Sequence, residues 1–208
     1  MVGWDQSCGR RDAIERLPGL RLSRISTLQR LLAGRIPRSG SEQDRPRAAV
    51  AIVLAPDPDR VLLIQRAERD GDRWSGQLAF PGGRWSPLDA DLAATARRET
   101  SEEVGVDLAS AVLCGVLDDL EPRTPVLPPI VVRPFVFSTP SAARLTLNHE
   151  VAAAWWVPLE DFWRPGVYGP VEYRRYGTLV RAAGYHLEMG VLWGMTERIL
   201  TPLLELLR

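Results

Sequence analysis

The sequence predicts an α/β sandwich with a mixed sheet, helices on both faces, and a helical arm at the N-terminus. Three observations carry this. Short aliphatic and β-branched runs at 48–54, 61–65, 111–117, 130–137 and 153–158 have the length and composition of strands. Helical patterns interrupt them at 89–104 and again near the C-terminus. Some strands are joined by tight turns and others by helices, which calls for a mixed sheet covered on both sides.

The elements follow in order. Leu17, Leu20, Ile25, Leu28, Leu31 and Leu32 recur at near-helical spacing, so a helix is expected over 12–33, with Gly34 as its cap. Residues 35–46 are rich in Arg, Ser, Gly and Pro and read as a linker. Residues 1–46 are therefore expected to be an arm, packed on the main domain or on a partner subunit, and residues 47–208 the main domain. Pro56-Asp57-Pro58-Asp59 separates the first two strands and predicts a hairpin. Gln77 to Gly83 reads as a strand running into a Pro-Gly-Gly turn, and 89–104 as an Ala-rich helix ended by Gly105. Glu121 to Pro129 is a Pro-rich loop. A short helix is expected at Leu159 to Trp163 and a polar hairpin within 168–186. A closing helix is expected over 189–207, with Leu192, Met195, Ile199, Leu203 and Leu206 on its apolar face. Trp155, Trp156, Trp163 and Trp193 read as core.

Composition narrows the function. The chain has 208 residues and 26 basic groups against 26 acidic ones, so bulk charge does not favour a nucleic-acid partner. Every basic residue is Arg, which excludes Schiff-base lysine chemistry and a lysine-bearing phosphate loop. Cys8 and Cys114 are too few for a disulfide framework or a zinc site, and Cys114 reads as a small buried hydrophobe. No apolar leader opens the chain, and the longest apolar run, 48–55, is too short to cross a bilayer as a helix. A cytoplasmic protein with no membrane partner is expected.

The segment that carries chemistry is Arg98-Glu99-Thr100-Ser101-Glu102-Glu103-Val104-Gly105-Val106. On a helix, Glu99, Glu102 and Glu103 stand at i, i+3 and i+4 and share a face. Like charges at this spacing repel, and near a helix C-terminus they oppose the macrodipole. A hard divalent cation relieves both penalties, because Mg²⁺ is held by a few carboxylates and completes its shell with substrate phosphate oxygens and water. The other reading is a solvated acidic face paired with Arg97 and Arg98.

With the Gly82-Gly83 turn ahead of it, this segment resembles the Nudix hydrolase signature: a Gly, five residues, a Glu, seven residues, then Arg-Glu-apolar-x-Glu-Glu-x-Gly-apolar. Thr100 takes an apolar slot, the spacing from Gly83 to Arg98 is one residue longer, and Asp89 and Asp91 are the acids nearest the missing Glu. An Asp can cap the helix in its place. The resemblance covers residue 48 to the C-terminus. It implies a metal-dependent hydrolase of nucleoside diphosphate derivatives using Mg²⁺ or Mn²⁺. Glu99, Glu103 and the Gly82 carbonyl would ligate the metal, Glu102 would be ligand or base, and Arg98 would orient the glutamates. The runs Leu62 to Arg66, Gly76 to Gly83 and Leu192 to Thr196 are similar to the coenzyme A diphosphatase branch, implying coenzyme A or acyl-coenzyme A as substrate. ADP-ribose or NADH as substrate, a nucleotide-sensing module without catalysis, and a diphosphate isomerase are the competing readings. The three glutamates favour the enzyme over the sensor, and the cysteines lie outside the motif an isomerase would use.

Several other residues are candidates. Glu150, in Asn148-His149-Glu150-Val151, is either a second catalytic acid or a loop acid paired with an arginine; His149 reads as a surface group. Arg66 either grips a phosphate or forms a structural ion pair. Arg66, Arg69 and Arg73 bracket the loop before Gly76 and are candidates for a substrate 3′-phosphate. Trp74 and Trp85 either stack on the substrate or pack at the rim, and Gly83 allows close approach to it. The arm's apolar face needs a cover, so a homodimer is one expectation.

Overall fold

The computed structural model describes residues 24–40, 45–72, 74–122, 129–175 and 178–207. The first part of the expected arm helix, Cys8, Arg73 and part of the Pro-rich loop lie outside these.

The central strand is β1 (Arg47–Ala55), an apolar run expected to be buried on both sides. Its alternate residues divide between two cores. Ala49, Ala51 and Val53 face α2 (Leu92–Val104). Ala48, Ile52 and Leu54 face α1 (Arg24–Leu32) and α3 (Met195–Glu205). The expected sandwich, with helices on both faces, is therefore observed. Strand β6 (Val131–Ser138) runs parallel to β1 over its length, and β5 (Val112–Val116) pairs antiparallel outside it.

The site is created on the other flank. Strand β2 (Arg60–Arg66) pairs with β1 only at Leu54↔Val61 and Ala55↔Arg60, the end joined by the expected turn. Beyond it the two strands part, and β2 pairs with β7 (Val151–Pro158). The segment 78–84 enters the wedge. Its first half, β3 (Leu78–Ala79), pairs with β2, and its second, β4 (Gly82–Arg84), pairs with β1. Pro81 C=O accepts from Ala51 N at 2.8 Å between them. The expected strand and turn are thus two short strands that exchange partners around Phe80-Pro81, because the wedge offers two unpaired edges.

Helix α2 starts at Asp91, whose carboxylate accepts from Ala94 N at 2.7 Å, and ends at Gly105 in the left-handed conformation. A 3₁₀ turn spans Leu159–Trp163 where a short helix was expected, and the polar hairpin is β8 (Tyr168–Arg175) with β9 (Thr178–Leu187). The closing segment differs from expectation. Residues Gly190–Trp193 form β10, paired with β9, and only from Met195 is the chain helical. Gly194, at φ 74°, divides strand from helix, so Leu192 is buried as a strand residue. The four tryptophans expected in the core are half-buried. Their size makes full burial rare, and two have outward partners: Trp156 Nε1 donates to Ala143 C=O at 2.9 Å, and the Arg24 guanidinium lies 4.5 Å over Trp163. Cys114 is buried, as expected.

Helix α1 inserts Ile25, Leu28 and Leu32 into the core it shares with α3. A Cβ on Gly115 of β5 would stand 2.6 Å from Leu32 Cβ, so the helix lies hard on this glycine. Residues 35–40 are fastened rather than loose. Asp118 takes the Arg38 backbone N–H and the Arg35 and Arg38 guanidiniums, and Asp119 takes Gly40 N–H at 3.0 Å. Among the described residues no helix is long and apolar enough to cross a membrane.

Candidate active site

The wedge of the sheet and the start of α3 enclose a cleft of about 320 Å³. One end is acidic. Helix α2 contributes Glu99 and Glu103, which stand over each other at i, i+4 and face the Gly82-Gly83 backbone of β4. Glu103 is 2% exposed, and its Oε2 accepts from Gly82 N–H at 2.9 Å. A Cβ on Gly83 would come within 2.6 Å of Glu99 Oε2, and one on Gly82 within 2.6 Å of Val50 Cα. Both glycines are therefore demanded by close approach, Gly83 by the carboxylate itself. Glu150, just before β7, also lines this end.

Burial pushes the Glu103 carboxyl up to about 7, with Glu99 and Glu150 adding repulsion and Gly82 N–H opposing it. Burial also raises Glu99, against the Arg98 guanidinium. A buried pair of like charges destabilises the anionic form, and a cation between them would reverse that.

Arg98 binds the Glu99 carboxylate and that of Glu102, both at 2.9 Å. The sequence gave no sign of its firmest partner. Asp89 receives Arg98 Nε and Nη2 at 2.8 and 2.9 Å, and also accepts from Thr95 Oγ1 and Ser86 N–H. These bonds, Arg98 first, hold the Asp89 carboxyl well below the usual carboxylate range. Of the two acids near the missing Glu, then, Asp91 caps the helix and Asp89 anchors the arginine that steadies Glu99.

The structure separates the remaining candidates. Glu102 is half-exposed, pairs with Arg98 and does not line the cleft. Arg66 lines the cleft and pairs with Asp72 at 2.8 Å. Arg69 does not line it and pairs instead with Glu150 Oε1 at 3.1 Å. Trp74 lines the cleft; Trp85 is exposed and outside it. His149 is largely exposed, 3.9 Å from Glu150. A residue that sequence reasoning passed over, Arg84, also lines the acidic end. The opposite end is apolar, walled by Leu78, Phe80, Ile130, Met195 and Ile199.

The donors suit a hard cation: carboxylate oxygens on a rigid helix, one of them buried without a cationic partner. Among the described residues no three acids or imidazoles form a preassembled cage, so water and substrate oxygens would complete the coordination.

The NUDIX domain model matches residues 45–175, more than half of the chain. An uncharacterised protein of Schizosaccharomyces pombe is 37% identical over 169 residues, 70% of this chain but only 51% of its own length. An uncharacterised Nudix hydrolase, NudL, of Cronobacter sakazakii is 31% identical over 88% of this chain and 93% of its own. Among solved structures, a MutT/nudix family protein from Enterococcus faecalis has the same fold, with a TM-score of 0.53, 19% identity, and coverage of 83% of this chain and 64% of that one. The match runs through the glycine pair and the glutamate helix that build the acidic end of the cleft, and the chain belongs to the Nudix hydrolase family.

Proposed function

We propose that this protein hydrolyses the phosphoanhydride of coenzyme A or an acylated coenzyme A, with Mg²⁺ or Mn²⁺ as cofactor. The observation that supports this substrate class is the two-ended cleft. Its acidic end suits a metal-bridged diphosphate, and its apolar end, with Trp74 beside it, suits a long uncharged arm.

Glu99 and Glu103 would hold the cation, with the Gly82 backbone as a further contact. When bound, it lowers the pKa of a ligated water and neutralises charge developing on the phosphates. Arg98 acts through Glu99, and Asp89 fixes the guanidinium so that the glutamate is in place before substrate arrives. Glu102 shares that guanidinium and serves the same positioning. Glu150 is the proton acceptor: Arg69 holds Oε1, leaving Oε2 to take the proton from the attacking water. The products are adenosine 3′,5′-bisphosphate and a 4′-phosphopantetheine. The cover of α1 by its own domain leaves a homodimer to be tested by light scattering.

A panel of coenzyme A, acyl-coenzyme A, ADP-ribose, NADH and dinucleoside polyphosphates, each with Mg²⁺ and Mn²⁺, tests the assignment. The highest kcat/KM is expected on a coenzyme A. Higher activity on ADP-ribose would reject the substrate and keep the hydrolase. Binding without turnover of any member would favour a sensing module.

A further inference from the structure

We propose that Arg84 grips a non-bridging phosphate oxygen of the substrate diphosphate beside the glutamate pair; the inference rests on the hydrolase reading of this cleft. The charged residues lining the cleft are Glu99, Glu103, Glu150, Arg66 and Arg84. A diphosphate entering there meets three carboxylates, so it needs protein cations as well as any metal. The arginines near the site are almost all committed. Arg66 is held by Asp72 through Nε and Nη2, Arg69 by Glu150, and Arg98 by Asp89, Glu99 and Glu102. Arg84 is exposed, and among the described residues its guanidinium has no ion pair or hydrogen bond.

Its backbone, by contrast, is fixed. Arg84 pairs with Ala48 across β4 and β1, the next residue donates from Trp85 N to Arg47 C=O at 2.9 Å, and Arg84 C=O accepts from Arg98 Nη2 at 3.4 Å. It follows Gly83, the residue on which the Glu99 carboxylate rests. A strand-anchored fork of five donors with no protein acceptor, at the acidic end and away from Met195 and Ile199, matches a phosphate. An arginine kept only for packing or solubility has no reason to line this cleft unpaired.

The test compares Arg84→Gln and Arg84→Lys with the parent, using coenzyme A and dephospho-coenzyme A with Mg²⁺. Loss of a charge-assisted contact predicts a roughly 10- to 150-fold fall in kcat/KM for Arg84→Gln, equal on both substrates. Arg84→Lys should keep part of the activity, and added guanidinium should restore part of it to Arg84→Gln. A change of less than about two-fold, or a loss confined to coenzyme A, would overturn the proposal; the second result would mean a 3′-phosphate contact. Equal losses in both variants without guanidinium rescue would mark a structural role and overturn it too. If the parent cleaves no diphosphate derivative, the hydrolase reading fails separately. ADP binding to the metal-free protein then decides: weaker binding by Arg84→Gln supports the contact, and unchanged binding removes it.

Discussion

Replacing Glu103 by Gln separates a carboxylate kept for a cation from one kept for the fold. Gln preserves the shape and can still accept from Gly82 N–H through its amide oxygen. In the metal-free protein, Glu103's carboxyl is raised from 4.5 to about 7. An acid that holds its proton more tightly when folded loses stability as pH rises from its unfolded pKa through its folded one. The penalty is therefore absent below about pH 4.5, grows between 4.5 and 7, and is complete above 7. The rise corresponds to about 3 kcal/mol at pH 8. For a chain of this length that is a Tm difference of roughly 6–12 °C. Thermal unfolding of both proteins in chelator, at pH 5 and pH 8, is the assay. Glu103→Gln should melt higher than the parent at pH 8 and nearly with it at pH 5. Saturating Mn²⁺ should raise the parent and leave the variant almost unmoved. A variant less stable than the parent at pH 8, or equally displaced at both pH values, would refute the reasoning and make Glu103 a structural residue.

Other expectations follow from the same contacts. Arg98→Ala strands the buried Asp89 carboxylate and should cost about 3 kcal/mol in denaturant unfolding, with Arg98's own partial exposure setting the lower end of the range for a broken buried pair. Gly83→Ala drives a methyl into the Glu99 carboxylate and should lower kcat/KM roughly 100-fold while circular dichroism is unchanged. Gly115→Ala displaces Leu32 and should destabilise the protein by about 1–3 kcal/mol, with hydrogen exchange rising first in α1.

The parts of this molecule legible in its sequence are those governed by local rules. The caps of α2, the apolar alternation of β1 and the turn at Pro56–Asp59 follow from side-chain chemistry within a few residues. So does the acidic face of α2, but not its division: only packing on the sheet decides that Glu103 is buried and Glu102 half-exposed. Residues 190–193 were misread because Leu192 and Met195 fit a helical stripe, while the pairing edge that makes them a strand belongs to β9. Arg69 and Arg66 read as phosphate donors because sequence does not show that Glu150 and Asp72 hold them. The Asp89–Arg98 clamp and the unpaired Arg84 depend on side-chain directions, which spacing alone does not give.

The most direct measurement is mass spectrometry of the products from coenzyme A in oxygen-18 water, with Mg²⁺ or Mn²⁺ and with excess chelator. The account predicts adenosine 3′,5′-bisphosphate and 4′-phosphopantetheine, one of them carrying a single heavy oxygen, and no products in chelator. Undiminished cleavage in chelator, or intact coenzyme A with either metal present, would contradict it.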